Sequence, residues 1–339
     1  MAGTALESPQ RIRYHTPRVS LVLITGGAGF IGSHLAQRLL QAGHRVRVLD
    51  NLDAFYDVAI KGRNLDALRA VASDRFEFVA GDLREPAACS RAAEGVHVVV
   101  HLAALAGVRP SLRDPARYMD VNVTGTQILL NAITDPRVVL VFGSSSSVYG
   151  GNEKVPFAES DPVDRPVSPY AASKKAGELL CYAWHRLHGN PVACLRFFTV
   201  YGPRQRPEMA IHQFARLITD GAPVPFFGDG SSRRDYTHVD DIVSGIQAAM
   251  QGRRPYAVYN LGGAATTSLQ ELVTLLERGL GRTAKLQRLP DQPGDVPVTW
   301  ADCRLAEREL GYRSSTPIAE GIGSFCTWYL AEKRAGRVR

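Results

Sequence analysis

Leu21-Val22-Leu23-Ile24-Thr25-Gly26-Gly27-Ala28-Gly29-Phe30-Ile31-Gly32 passes from an apolar run into three glycines spaced by three. An amphipathic helix is predicted to follow as far as Ala42 and to stop at Gly43. Glycines at 26, 29 and 32 make G-x-x-G-x-x-G, a relative of the dinucleotide-binding turn. There, backbone amides and the positive end of a helix must approach a pyrophosphate, and a Cβ would block them. Taken alone, the motif reads equally as a tight strand-to-helix turn. A second strand, Arg45-Val46-Arg47-Val48-Leu49, ends at Asp50, and 50 − 29 = 21 residues separate this acid from the middle glycine. An acid at that distance meets the adenosine ribose hydroxyls and repels a 2′-phosphate, which favours NAD over NADP.

The alternation continues outward. Phe76–Ala80 leads into Gly81-Asp82-Leu83, Val96–Leu102 into Ala103-Ala104, Val138–Phe142 into Ser144-Ser145-Ser146-Ser147, and Val192–Phe198 into Thr199. Continuous β-branched runs of this length read as strands buried on both faces, and the 3.6-period segments between them as crossover helices. The fold class is therefore α/β, a doubly wound parallel sheet. Ligands bind beyond the carboxyl ends of such strands, so Asp82, Ala103, Ser145 and Thr199 all face one crevice. Toward it also comes Ser168-Pro169-Tyr170-Ala171-Ala172-Ser173-Lys174, in which Tyr170 and Lys174 share a helix face. A phenol titrates near pH ~10 and is a poor base at neutrality, and a cation beside it favours the phenolate. By itself Y-x-x-x-K is more often an ordinary pair of solvated helix positions.

Composition bounds the rest. The chain has 339 residues, 45% hydrophobic and 22% charged, as suits a globular protein of one or two domains. No apolar run approaches the ~18 residues of a membrane span, and residues 1–19 lack the apolar core of a signal peptide and read as a disordered leader. The cytoplasm is expected. Five cysteines, scattered and without C-x-x-C spacing, argue against a disulfide framework and a zinc site. The net charge of +7 is spread along the chain and its two ends rather than interleaved with aromatics, so nucleic acid is not an expected partner.

The ordered motifs from about residue 20 to 330 resemble the extended short-chain dehydrogenase/reductase family, in particular its nucleotide-sugar epimerases and dehydratases. They are the loop 26–32, Asp50-Asn51, Gly81-Asp82-Leu83, His101-Leu102-Ala103-Ala104, Asn122–Thr126 and Ser144–Gly150. To these add Tyr170 with Lys174, Arg196–Pro203, Arg234–Asp241 and Tyr259–Gly262. The resemblance implies a Rossmann domain over 20–198 carrying the catalytic groups. It also implies a smaller, discontinuous α/β nucleotide-sugar domain over most of 199–332, and a basic tail over 333–339 remains. Asp50-Asn51-Leu52 with Tyr56-Asp57-Val58 and Lys61, Phe197–Pro203 with Arg206–Met209, and Gln292–Pro297 are similar to the UDP-glucuronate 4-epimerases of this family.

The activity so implied is inversion at C4 of a UDP-sugar, UDP-glucuronate foremost, by transient oxidation with tightly bound NAD. UDP-glucose or UDP-N-acetylglucosamine 4-epimerase is the alternative, and UDP-glucuronate decarboxylase a more distant one. Implied catalytic residues are Ser145, Tyr170 and Lys174. Implied cofactor contacts are Gly26, Gly29, Phe30, Ile31, Gly32, Asp50, Asn51, Asp82, Leu83, Leu102, Ala103, Ala104 and Asn122, with Tyr170 and Lys174. On the substrate side stand Arg109, Ser146, Ser147, Thr199, Gln213, Asp295 and Arg206, which is assigned the sugar carboxylate because a guanidinium grips it in a planar, two-pronged way. Without the resemblance, Arg206 reads equally as a surface arginine before a proline. Arg234 is assigned the diphosphate, against an ordinary ion pair. Phe227 is assigned the uracil ring, against a place in the core. His101 reads as a strand-end histidine, with no metal site expected. A homodimer through the helices near 115–134 and 170–188 is also implied.

Overall fold

The computed structural model describes residues 19–263, 265–290 and 297–338. Asp295 and Gln292 therefore lie outside the described residues, as does the leader up to residue 18. Among the described residues twelve strands occur, β1 Leu21–Thr25, β2 Arg45–Asp50, β3 Phe76–Ala80, β4 Val98–His101, β5 Val139–Ser145, β6 Val192–Phe197, β7 Thr199–Tyr201, β8 Pro223–Phe227, β9 Arg233–His238, β10 Tyr256–Leu261, β11 Thr266–Ser268 and β12 Lys285–Leu289. The helices of the first half are α1 Phe30–Gln41, α2 Val58–Val71, α3 Pro86–Ala93, α4 Val108–Arg113, α5 Pro115–Met119 and α6 Gly125–Ala132. Those of the second half are α7 Pro169–His188, α8 Ala210–Asp220, α9 Val239–Ala249, α10 Leu269–Leu280, α11 Arg304–Leu310 and α12 Ile318–Arg334.

Seven strands form one sheet in the order β10-β6-β5-β4-β1-β2-β3, and every pair in it is parallel. Alternate residues of β1 serve opposite faces: Val22 and Ile24 pack into one core, Leu23 into the other. That is why the run is apolar at every position. The strand order reverses between β1 and β4, and the crevice opens there. The smaller lobe is built on β7, β9 and β11, the pair β8–β12, and the helices α8, α10 and α12, around Phe214, Phe226, Leu276 and Phe325. Between β9 and β11 the chain returns to the large sheet: α9 packs on α1, and β10 pairs with β6.

Three expectations change at their edges. β5 continues beyond Phe142 because Ser144 and Ser145 still pair with Arg196 and Phe197 of β6. The helix expected near 115–134 is interrupted by a π-turn at Asp120–Thr124, such turns being frequent near functional sites. The basic terminal stretch begins inside α12, where Lys333 donates to Thr219 Oγ1 at 2.9 Å and pairs with Asp220. Among the described residues no helix is long and apolar enough to cross a membrane.

Candidate active site

The carboxyl ends of the strands open into a cleft of about 470 Å³. Its cofactor side follows from the glycine loop. Gly26 has φ +72°, and a Cβ there would lie 2.8 Å from the backbone of Ala103. A Cβ on Gly32 would lie 2.4 Å from Gly26 O, so only glycine lets α1 start this close to the turn. Gly29, the residue before α1, brings no side-chain cap, which leaves the helix's first amides and positive end to an anion. Gly26, Gly29, Phe30, Ile31 and Gly32 all line the cleft, as do Asn51, Leu83, Leu102, Ala103 and Ala104. Asp50 is buried at the end of β2 and accepts from Ala28 N at 3.2 Å and Leu52 N at 2.9 Å. Asp82 accepts from Asn51 Nδ2 at 2.8 Å, and the hydrogen-bonded Arg84 guanidinium holds its carboxyl well below the usual range. A narrow glycine-lined cradle with a ribose-facing acid beyond it fits a dinucleotide. Lys61, buried with Nζ 3.8 Å from Asp50 Oδ1, adds a cationic wall that the residue-by-residue reading of the cofactor side had not included.

His101 occupies the strand end below this floor. Thr126 Oγ1 donates to Asn122 O at 2.6 Å, so at 2.9 Å it accepts from His101 Nε2. His101 Nδ1 is then left to accept from Thr25 Oγ1 at 2.7 Å. The ring is neutral, and burial pushes its pKa down to about 3, with the Lys174 charge adding to the effect.

Tyr170 sits in the first turn of α7, after Ser168 caps the helix by accepting from Ala171 N at 3.1 Å and Pro169 starts it. Burial pushes the Tyr170 pKa up, while a hydrogen bond with Ser145 and the Arg206 guanidinium pull it back. The Arg206 guanidinium thus bears on the phenol, a cation that helix spacing does not point to. Lys174 donates to Gly143 O at 2.7 Å, and burial pushes its pKa down to about 8. Ser145 ends β5 and caps the 3-10 turn Ser146–Tyr149; its Oγ donates to Ser147 Oγ at 3.2 Å. Ser146, Ser147, Thr199 and Arg206 line the same wall. Arg206 pairs with Glu208 at 3.2 Å and lies 5.9 Å from the Phe55 ring, so it faces the cleft across from the cofactor lobe.

Five expected residues fall outside the cleft lining. Asn122 is buried and spent on the fold: its amide donates to Leu105 O and Ser173 Oγ, each at 2.9 Å, and its carbonyl accepts from Leu105 N. It shapes the wall at Leu105, with both side-chain N–H donors used within the protein. Arg234 donates to Arg233 O at 3.0 Å and Pro297 O at 3.3 Å, because strand alternation turns its neighbour Asp235 inward instead. Gln213 stands half-buried on α8, where its backbone N–H donates to Met209 O at 2.9 Å. Arg109 and Phe227 meet each other, the guanidinium 5.9 Å from the ring, and so join α4 to β8 across the two lobes.

Residues 22–262 match the protein family described as the NAD dependent epimerase/dehydratase family. The chain belongs to this family. It is 41% identical to the UDP-glucuronate 4-epimerase of Thermodesulfobacterium geofontis, over 90% of this chain and 95% of that one. It is 40% identical to the probable UDP-glucuronate 4-epimerase of Rhizobium meliloti, over 91% and 96%. Its fold is similar to that of the Bacillus cereus UDP-glucuronic acid 4-epimerase, solved with UDP-glucuronic acid and NAD. The TM-score is 0.85 at 34% identity, over 92% of this chain and 99% of that one. Membership of the NAD-dependent epimerase/dehydratase family accounts for the doubly wound sheet and the glycine cradle.

Proposed function

We propose that this protein is an NAD-dependent isomerase that inverts C4 of UDP-glucuronate to give UDP-galacturonate. The observation that carries the sugar assignment is Arg206, set in the cleft wall beside Thr199 and facing Tyr170. The glycine loop and the amides of α1 would hold the pyrophosphate, Asp50 the adenosine ribose, and Lys174 the nicotinamide ribose. The C4–H bond has no useful acidity, and the chemistry that NAD supplies when bound is reversible acceptance of a hydride from that carbon. Tyr170, as phenolate, takes the proton from the C4 hydroxyl. Ser145 hydrogen-bonds the same oxygen and passes the proton, with Ser147 next in line. The 4-keto sugar then turns over about its phosphate link and is reduced on its other face, with Tyr170 returning the proton.

Arg206 has a second task. The intermediate is a β-keto acid, which loses CO₂ when the bond to the carboxylate stands perpendicular to the ketone plane. A two-pronged grip that keeps the carboxylate out of that orientation protects it. The exposed Leu179, Tyr182 and Leu187 on α7 support a homodimer through that helix, and reduced cysteines at all five positions suit the cytoplasm.

The test is to incubate the protein with UDP-glucuronate, without added reductant, and identify products by NMR and mass spectrometry. UDP-galacturonate without CO₂ is expected, with the Tyr170→Phe protein retaining NAD and losing about 10²–10⁴-fold in rate. UDP-pentose and CO₂ would remove the protective role from Arg206. Inertness toward UDP-glucuronate with turnover of UDP-glucose would move the assignment to a neutral sugar.

A further inference from the structure

Helix α1 grips the cleft wall at a second place. His34 Nε2 donates to Pro203 O at 2.9 Å. Arg204 donates to Gln37 Oε1 at 2.5 Å and to Ser33 Oγ at 3.5 Å. Ser33 and Gln37 are four residues apart and lie on one face of the helix. Arg204 has φ +62°, a left-handed conformation that a side-chain-bearing residue keeps only when its surroundings hold it there. The next residue is pinned as well: Gln205 Nε2 donates to Val200 O at 3.1 Å, and Gln205 O accepts from His212 Nδ1 at 2.7 Å. Three consecutive residues are thus fixed, and the fourth is Arg206. Arg204 itself is absent from the cleft lining. It leans on the neutral amide of Gln37, so its value lies in where it holds the chain.

We propose that Arg204, seated on Gln37 and His34 of the cofactor helix, is a positioning residue for sugar specificity. By clamping the turn 202–205 to the back of α1 it fixes the segment that carries Arg206 into the cleft wall that Tyr170 also lines. The inference rests on the reading of Arg206 as the carboxylate's partner. A neutral sugar presents a hydroxymethyl group there and has no need of that placement.

Two variants of the full NAD-loaded chain test it. Arg204→Gly removes the guanidinium while keeping the left-handed backbone accessible. Gln37→Met removes the acceptor from the helix side with little change of shape or helix propensity. Both should raise the KM for UDP-glucuronate about 10–10²-fold, the scale of a misplaced positioning group. In both, kcat, NAD content and the inhibition constant of UDP-glucose should stay within about twofold, as for loss of one binding contact. Equal weakening of the two sugars, no weakening of either, or loss of NAD would overturn the proposal. Arg206→Ala is measured alongside. If it weakens UDP-glucuronate selectively while the other two variants do not, only the positioning role falls. If it treats both sugars alike, the carboxylate reading falls and this inference falls with it.

Discussion

Arg196 and Arg206 stand ten positions apart on one continuous stretch and are opposite in kind. Arg196 lies under the catalytic strand with both prongs on Glu178, Nε to Oε1 at 2.8 Å and the second nitrogen to Oε2 at 3.0 Å, and also donates to Tyr149. Glu178 in turn accepts from Ser144 at 2.7 Å. Burial works against this carboxylate, and the hydrogen bonds and charge of Arg196 overcome it, leaving its pKa below the ordinary value. The pair therefore ties α7, which carries Tyr170 and Lys174, to β6, and the Ser144 bond ties it to β5, which carries Ser145. Arg206 has an ion pair to Glu208 at 3.2 Å and lies against the Phe55 ring, on a turn at the rim. A guanidinium whose donors are consumed by the protein builds; one whose donors face a cleft binds.

The contrast can be broken most forcefully at the floor. Glu178→Ala leaves Arg196 buried and unpaired, and should cost about 3–5 kcal/mol in denaturant unfolding. A drop under about 1 kcal/mol, the scale of an exposed pair, would mean that the two arginines do not differ in kind. At the rim, Arg206→Ala should leave unfolding within about 0.5 kcal/mol while raising the KM for UDP-glucuronate; a large stability loss there would make Arg206 a structural residue too.

A third effect separates the buried elements from the rim by pH. His101 and His34 are held neutral chiefly by burial, with pKa values pushed down to about 3 and about 4. The unfolded chain, whose histidines titrate near 6.5, therefore binds more protons below that pH. Stability should fall as the pH drops from about 6.5, by up to about 1.4 kcal/mol per pH unit for each histidine. A His34→Gln chain should show a shallower acid slope in thermal melts, and an unchanged slope would mean that His34 is charged in the folded protein.

What was legible in the sequence followed from backbone necessity. Gly26 and Gly32 are demanded by the approach of Ala103 and of the turn itself, and Asp50 closes a strand whose last three residues are buried. These constraints select residue types, so the types betray them. What stayed hidden depends on where a side chain points. Asn122 lies in a motif that faces the cleft, yet the π-turn aims it at Leu105 and Ser173. Arg234 and Arg206 read alike as basic residues near a proline or an acid, and only strand alternation in the one case and a pinned turn in the other separates them. Lys174 shares a helix face with Tyr170, but its ammonium donates back to Gly143 O, and Arg206, whose charge also bears on the phenol, comes from the other lobe.

The return of the chain through α9 and β10 to the large sheet has a consequence for how such a protein can be altered. Neither lobe is a single segment, so no one crossover between two related genes can exchange the smaller lobe intact. Any single splice would separate β10 from its lobe of origin or leave β6 beside a foreign edge. A change of substrate in this architecture is therefore a matter of point substitutions on short turns such as 202–209, and a laboratory attempt to transplant specificity should graft that turn rather than a domain.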